Sequence, residues 1–287
     1  MLHVLHAVSG AELADIRVEQ QTYVRTVKAH LCEQYGFPLS LQQLLHDGSV
    51  LEDGVDLGML AMPMEAHLVL LPVSAKVLSV ASELELAAEQ GHVQQIRWLF
   101  ETDAFKDLAP HHVERPFVIA SQRGHVEVLQ LFISAGATRQ VDCAIQEASA
   151  AGHVEVVRLL VEAGADIGLD EDGYSFSLII AAEAGHVEIV SLLLEARADV
   201  SFMDHLGGHA IADASEKGHA RVVHLLLDAG ADRDAALEAA AAHGQAEIVR
   251  LLLQRGILGD EFRDQRQKAS ELALKKGHLE IVELLAG

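Results

Sequence analysis

The dipeptide Gly-His recurs along this chain at a nearly fixed interval, and that recurrence leaves few folds open. It stands at Gly91-His92, Gly124-His125, Gly152-His153, Gly185-His186, Gly218-His219 and Gly277-His278, with Gly244-Gln245 as a degenerate seventh copy. The intervals between the glycines are 33, 28, 33, 33, 26 and 33 residues. A period of this size marks a stacked repeat, in which one copy cannot bury its own apolar face and needs a neighbour. After each glycine comes a segment with Val, Ile and Leu at i, i+3 and i+4, such as Val-Glu-Val-Val-Arg-Leu-Leu from Val154. Before each comes an Ala-rich stretch such as Ala181-Ala182-Glu183-Ala184. Several copies close on Ala-Gly-Ala, as at Ala163-Gly164-Ala165 and Ala229-Gly230-Ala231. The pattern predicts two short antiparallel helices per copy, seven pairs in all. Ala lines the inner helix so that neighbours approach closely, and the glycine supplies the positive φ where the chain leaves it. A chain that is 50% apolar yet only 4% aromatic fits a core built from Ala and Leu.

From about Ser79 onward these features resemble the ankyrin repeat family: the 33-residue period, Gly-His-x-Glu-hydrophobic-Val, and Ala-Gly-Ala-Asp. The family's Thr-Pro-Leu-His start to the inner helix is poorly kept, with Ser82-Glu-Leu-Glu, Arg115-Pro-Phe-Val, Phe176-Ser-Leu-Ile and His209-Ala-Ile-Ala in its place. The resemblance implies an α-helical solenoid and an array that binds a protein client on a concave face of fingers and inner helices. The two short intervals, around Ala137–Asp142 and Ala231–Asp234, read as direct helix-to-helix turns without a finger. Full fingers are expected at about Asp103–Glu114, Asp166–Ser175, Asp199–Gly208 and Leu258–Gln267. Ser82-x-x-Glu85 has the form of a capping box opening the first inner helix. Lys268, Glu271, Lys275 and Lys276 give the last copy a polar inner helix that suits a terminal cap.

Met1 to Pro72 lacks the repeat. Its hydrophobic pattern reads ββαββ, a small α+β sheet wrapping one helix, with Val24, Val27 and Leu31 on the helix's inner face and Gly36 ending it. For the first strand, either Leu2 and Val4 or His3 and Leu5 face the core. Ser9-Gly10, Val27-Lys28-Ala29, Tyr35-Gly36-Phe37-Pro38, Gln42-Gln43-Leu44-Leu45, Asp47-Gly48, Leu51-Glu52-Asp53-Gly54 and His67-Leu68-Val69-Leu70 resemble the ubiquitin-like family and its β-grasp fold. The organisation expected is residues 1–72 as the ubiquitin-like domain, 73–81 as linker and 82–287 as the repeat array. Pro72 and further chain follow Leu71, so no diglycine carboxylate stands there to be activated. The family's recognition patch maps onto Leu45, His67 and Val69, with Val8 a weaker counterpart; Gln43 and Leu71 replace the basic residues beside it.

Charge narrows the partners. Against 21 Lys and Arg stand 43 Asp and Glu, a net charge of -22. Such a chain repels phosphate backbones and anionic membranes, and favours partners with basic or apolar surface. Two distant cysteines, Cys32 and Cys143, make neither a disulfide framework nor a zinc site, which points to a reduced setting, cytoplasmic or nuclear. No Asn is present, so N-glycosylation is excluded. Of 17 histidines, six belong to Gly-His, where the resemblance implies a structural tie between adjacent turns; His111-His112, and His205 with His209, read as exposed finger residues rather than ligands. No catalytic, cofactor-binding or metal-ligating residue is expected, and no nucleophile–base arrangement surrounds Cys143.

The candidate client surface is therefore Tyr174 with Asp170, Glu171 and Asp172 on one finger, Phe202, Met203 and His205 on the next, and Glu183, Glu216 and Lys217 on the inner helices beside them. The expected function is a non-enzymatic scaffold or adaptor with the ubiquitin-like domain as a second docking module toward ubiquitin-pathway proteins. The alternative is an architectural protein in which that domain caps the array.

Overall fold

Alternation along the first strands decides which side chains the sheet buries. The computed structural model describes residues 1–6, 12–19, 21–60, 63–71, 77–101, 111–136, 141–164, 177–203, 208–255 and 262–286. Strands β1 (Leu2–His6), β2 (Glu12–Ile16), β3 (Gln42–His46), β4 (Ser49–Val50) and β5 (Met64–Leu70) form one sheet in the order β2-β1-β5-β3-β4. β1 runs parallel to β5, and the other pairs are antiparallel. The short edge strand β4 is one more than the ββαββ reading. Leu2 and Val4 point inward with Leu44, Ala66 and Leu68, which settles the register left open by the sequence. They bury Val24, Val27 and Leu31 of α1 (Val24–Tyr35). Gly36 ends α1 at φ 76, its N–H donating to the Cys32 carbonyl at 2.8 Å.

The chain divides into two compact units, Met1–Gln140 and Val141–Gly287. The first holds the sheet and two helix pairs: α2 (Val77–Gln90) with α3 (Val93–Glu101), and α4 (His111–Arg123) with α5 (Val126–Ser134). Here α1 packs on α3, and the 3-10 turn Leu39–Leu41 packs on α2. The Glu83 carboxylate of α2 accepts the backbone N–H groups of Leu39 and Ser40, each at 2.6 Å. These are the orphan donors of a helical first turn, so the array satisfies the sheet domain's backbone. A Cβ on Gly36 would lie 2.1 Å from the Gln94 carbonyl oxygen, so only glycine allows the approach. Phe37 stacks on Tyr35 at 5.5 Å and meets Trp98 edge-on at 6.1 Å.

Three helix starts differ from the sequence reading. α2 begins at Val77, with Val80 and Ala81 buried, so Ser82 is inside the helix and its hydroxyl donates to the Leu78 carbonyl. Glu85 closes no capping box and faces Arg115 at 3.6 Å instead. α4 begins at His111 and runs through Pro116, which puts His111 and His112 in its first turn rather than on a finger. α14 begins at Arg263 because Arg, Gln and Lys are good helix formers and Asp264 suits the first turn, so the last finger is shorter than expected.

Among the described residues the second unit contains five pairs. The inner helices are α6 (Val141–Ala151), α8 (Ser177–Ala184), α10 (Ala210–Lys217), α12 (Arg233–Ala242) and α14 (Arg263–Lys276). The outer helices are α7 (Val154–Glu162), α9 (Val187–Glu195), α11 (Ala220–Asp228), α13 (Ala246–Gln254) and α15 (Leu279–Ala286). Each row stacks on its own kind. Ala144, Ala148, Ala181, Ala214, Ala240 and Ala273 are buried where inner helices meet. At the 26-residue interval Asp232 caps α12 directly, accepting from the Asp234 N–H at 2.9 Å, so the chain turns from α11 into α12 without a finger.

The Gly-His dipeptide performs two tasks. The glycine is left-handed, and the next N–H returns to a carbonyl five residues back, as in His125 to Ala120 and His219 to Ala214, both 2.9 Å. The side chain then reaches to the preceding repeat. Nε2 of His125 donates to the Glu89 carbonyl and that of His219 to the Glu183 carbonyl, both at 2.9 Å. His278 does the same to Ala242 at 3.2 Å. In the degenerate copy the Gln245 amide donates to the Glu216 carbonyl at 2.8 Å. The acceptors lie in the last turns of inner helices, whose carbonyls have no helical partner. Each ring or amide also fills the space a Cβ would need on the preceding glycine: His125 over Gly91, His219 over Gly185, Gln245 over Gly218.

Two stability measurements follow. Arg197 holds φ 67 where Gly136, Gly164 and Gly230 stand in other copies. Arg197→Gly is expected to raise stability by about 0.5–1 kcal/mol in urea unfolding, the left-handed penalty less the added entropy of the unfolded chain. Gln245→Ala is expected to cost about 1 kcal/mol, and Gln245→His to restore it, because both native-like side chains donate to the same carbonyl.

Candidate functional site

A surface that binds a partner needs exposed anchors on an ordered frame. The finger before α10 provides one. Asp199 opens it with a turn in which its carboxylate accepts the Ser201 N–H at 2.9 Å and the Ser201 hydroxyl at 2.6 Å. These two bonds hold the Asp199 carboxyl below its usual range. The Phe202 N–H donates to the Asp199 carbonyl at 3.2 Å, and Phe202 is half-buried. Met203 pairs with His209 across the finger in an antiparallel bridge and leaves its side chain 55% exposed. The finger therefore presents Met203 rather than Phe202. His205 lies outside the described residues, as do Asp170, Glu171, Asp172 and Tyr174.

The inner-helix residues form a separate row. Lys217 Nζ lies 3.6 Å from both Glu183 and Glu216, and Glu216 lies 3.8 Å from Nε2 of His243. All are substantially exposed, so each pair contributes about 0–1 kcal/mol. The row sits at the C-terminal end of α10 and Met203 just before its N-terminal end, so about 12 Å of helix separates the two groups. The sequence reading placed them on one border; a partner touching both must span that helix.

On the sheet domain, Leu45 of β3 is the cross-strand partner of His67 of β5, and Gln43 is that of Val69. All four alternate with buried residues and face away from α1. The fixed register adds Leu5, opposite His67 on the other side. Leu5 was not assigned to this patch from sequence because the register of β1 stayed open. Asp15 is the cross-strand partner of His3 and its carboxylate lies 2.6 Å from Nδ1, while Glu12, opposite Leu5 beyond a bulge, lies 3.6 Å from it. Their ligand atoms lie within 4.8 Å of one another at a partly exposed position. Cys143 is exposed on α6, and the Cys32 thiol is pushed up to about 11 by burial first and then by Glu83 and Glu33. No helix among the described residues is long and apolar enough to cross a membrane.

Comparison with known families agrees with this architecture. The family model for ankyrin repeats, three copies, matches residues 84–171, 169–236 and 211–287. The ubiquitin family model matches residues 9–71. No curated protein sequence matches the chain.

The Asp199 turn makes a pH prediction. Its carboxyl is lowered from 3.8 in the folded state, so the stabilisation is complete above that value and is lost as pH falls through the folded value. Amide exchange at Ser201 is expected to lose protection on acidification below about pH 4, and Asp199→Ala to abolish that step.

Proposed function

The chain belongs to the ankyrin-repeat family and carries a ubiquitin-family domain, and from that premise we propose that it is a non-enzymatic adaptor whose finger and inner-helix surface binds a client protein. Ankyrin repeats serve protein interaction in general. The observation that carries the reading here is Met203, a flexible apolar side chain held out on a finger whose turn and bridge are both hydrogen-bonded. Such side chains act as interface anchors. Around it the chain is acidic, with a net charge of -22, so the client carries basic and apolar surface and associates faster at low salt. The outer sheet face with Leu5, Leu45, His67 and Val69 supplies a second docking surface, suited to ubiquitin-pathway proteins, and the adaptor works in the cytoplasm or nucleus.

A second reading, the ubiquitin-like domain as a cap, rests on a different observation. Glu83, Gly36 and the Phe37–Trp98 contact join that domain to the first repeat. The two readings are compatible, because the cap uses α1 and the 3-10 turn while the outer sheet face stays partly exposed. Rapid proteolysis within residues 72–76 that releases two stable halves would count against the cap.

The client surface is tested with a partner captured by pull-down. Tyr174→Ala and Met203→Ala are each expected to weaken its binding by more than about 1 kcal/mol with the melting temperature unchanged. Normal binding by both variants would move the client to another surface. Early melting by both would make these side chains packing residues.

A further inference from the structure

The first Gly-His copy breaks the ladder. The other side chains described above reach back to a carbonyl of the preceding inner helix, whereas His92 has no preceding repeat. The sheet domain stands there instead, with α1 on α3 and the 3-10 turn on α2. His92 is exposed, and among the described residues its imidazole makes no hydrogen bond. Where α1 and the 3-10 turn meet α2 and α3, a cleft of about 370 Å³ remains. That is the lower end of the size range of small-ligand pockets, room for a short segment and not for a domain.

The lining gives the cleft a definite preference. Leu39 and Leu86 line it while 43% and 51% exposed, an apolar surface left wet although both belong to well-packed elements. Glu33 lines it with an exposed carboxylate that has no ion pair among the described residues. Glu83 adds a second carboxylate, anchored by the 3-10 turn. Among the described residues no Lys or Arg lines the cleft. Both carboxylates act with burial to keep the Cys32 thiol protonated, so the cleft holds no ready nucleophile.

We propose that this cleft is a docking site for a short peptide segment of a partner protein that combines an apolar side chain with a basic one. The apolar side chain covers Leu39 and Leu86, and the basic one reaches Glu33. A backbone carbonyl of the segment accepts the His92 N–H, making the bond that a preceding repeat would have made. The cleft lies in the Met1–Gln140 unit and Met203 in the other, so the proposal stands or falls independently of the client surface above.

The test uses the full chain and two model dipeptides, N-acetyl-leucyl-arginine amide and its charge-reversed control N-acetyl-leucyl-glutamate amide, titrated while backbone amides are followed by NMR. The arginine peptide is expected to shift Glu33 and residues 90–95 saturably and to bind at least about fivefold tighter than the control, an ordinary gain for one charge pair. Glu33→Gln is expected to erase the difference, and His92→Leu to weaken both peptides several-fold. Both positions are exposed, and emission from Trp98, the single tryptophan, reports that the junction is intact in each variant. Equal affinities for the two peptides, a preference that survives Glu33→Gln, or no shifts at these amides would overturn the proposal.

Discussion

The bond from one repeat's imidazole, or its glutamine substitute, to the preceding repeat's inner helix holds the rest of the array in register. It joins two deficits. A helix ends with carbonyls that have no helical partner, and a left-handed glycine leaves open space where a side chain would be. The His125 ring meets both at once, filling the space over Gly91 and donating to Glu89. A carbonyl can only accept, so the role calls for an N–H donor at that reach, and the amide of Gln245 supplies one. With the polar ends tied in this way, small Ala residues suffice between inner helices, and the aliphatic faces of the outer helices meet their neighbours at a fixed spacing.

Where the repeat pattern stops, the same needs are met by other means. The sheet domain offers no inner helix for His92, and in exchange the first repeat offers Glu83 to the domain's 3-10 turn. The direction of donation is reversed: here the array accepts and the neighbouring module donates. The fit is close at Gly36 and Phe37, where backbone and ring contact α3, and open at Leu39 and Leu86, where no helix of matching shape continues the row. A mismatch between module types thus leaves an accessible, acidic, partly apolar cleft that a uniform stack of repeats would have filled.

Electrostatics add selection rather than stability. The ion pairs along the inner helices, such as Lys217 with Glu183 and Glu216, are exposed and individually weak. Their uncompensated surroundings set the sign of the field at both candidate surfaces, because carboxylates outnumber cations across the chain. Among the exposed apolar side chains, Met203 stands on a finger and Leu39 and Leu86 stand at the cleft.

The number and type of modules were legible in the sequence because they depend on local periodicity. Seven glycine-centred copies gave the seven helix pairs seen among the described residues, and the 26-residue interval marked the turn without a finger. The side of β1 that enters the core was not legible, since both faces carry apolar residues, and only pairing with β5 placed Leu2 and Val4 inside. Helix starts were misread at Ser82, His111 and Arg263 because a capping pattern or a proline competes with burial and contacts made by residues distant in sequence. On the third finger, where Met203 bridges His209, Met203 is exposed and Phe202 half-buried, a difference the sequence pattern did not carry. His92 could be identified as a repeat histidine from sequence alone. That it lacks the carbonyl its counterparts use was decided by the module folded against it, because a hydrogen bond between repeats exists only once both ends are placed.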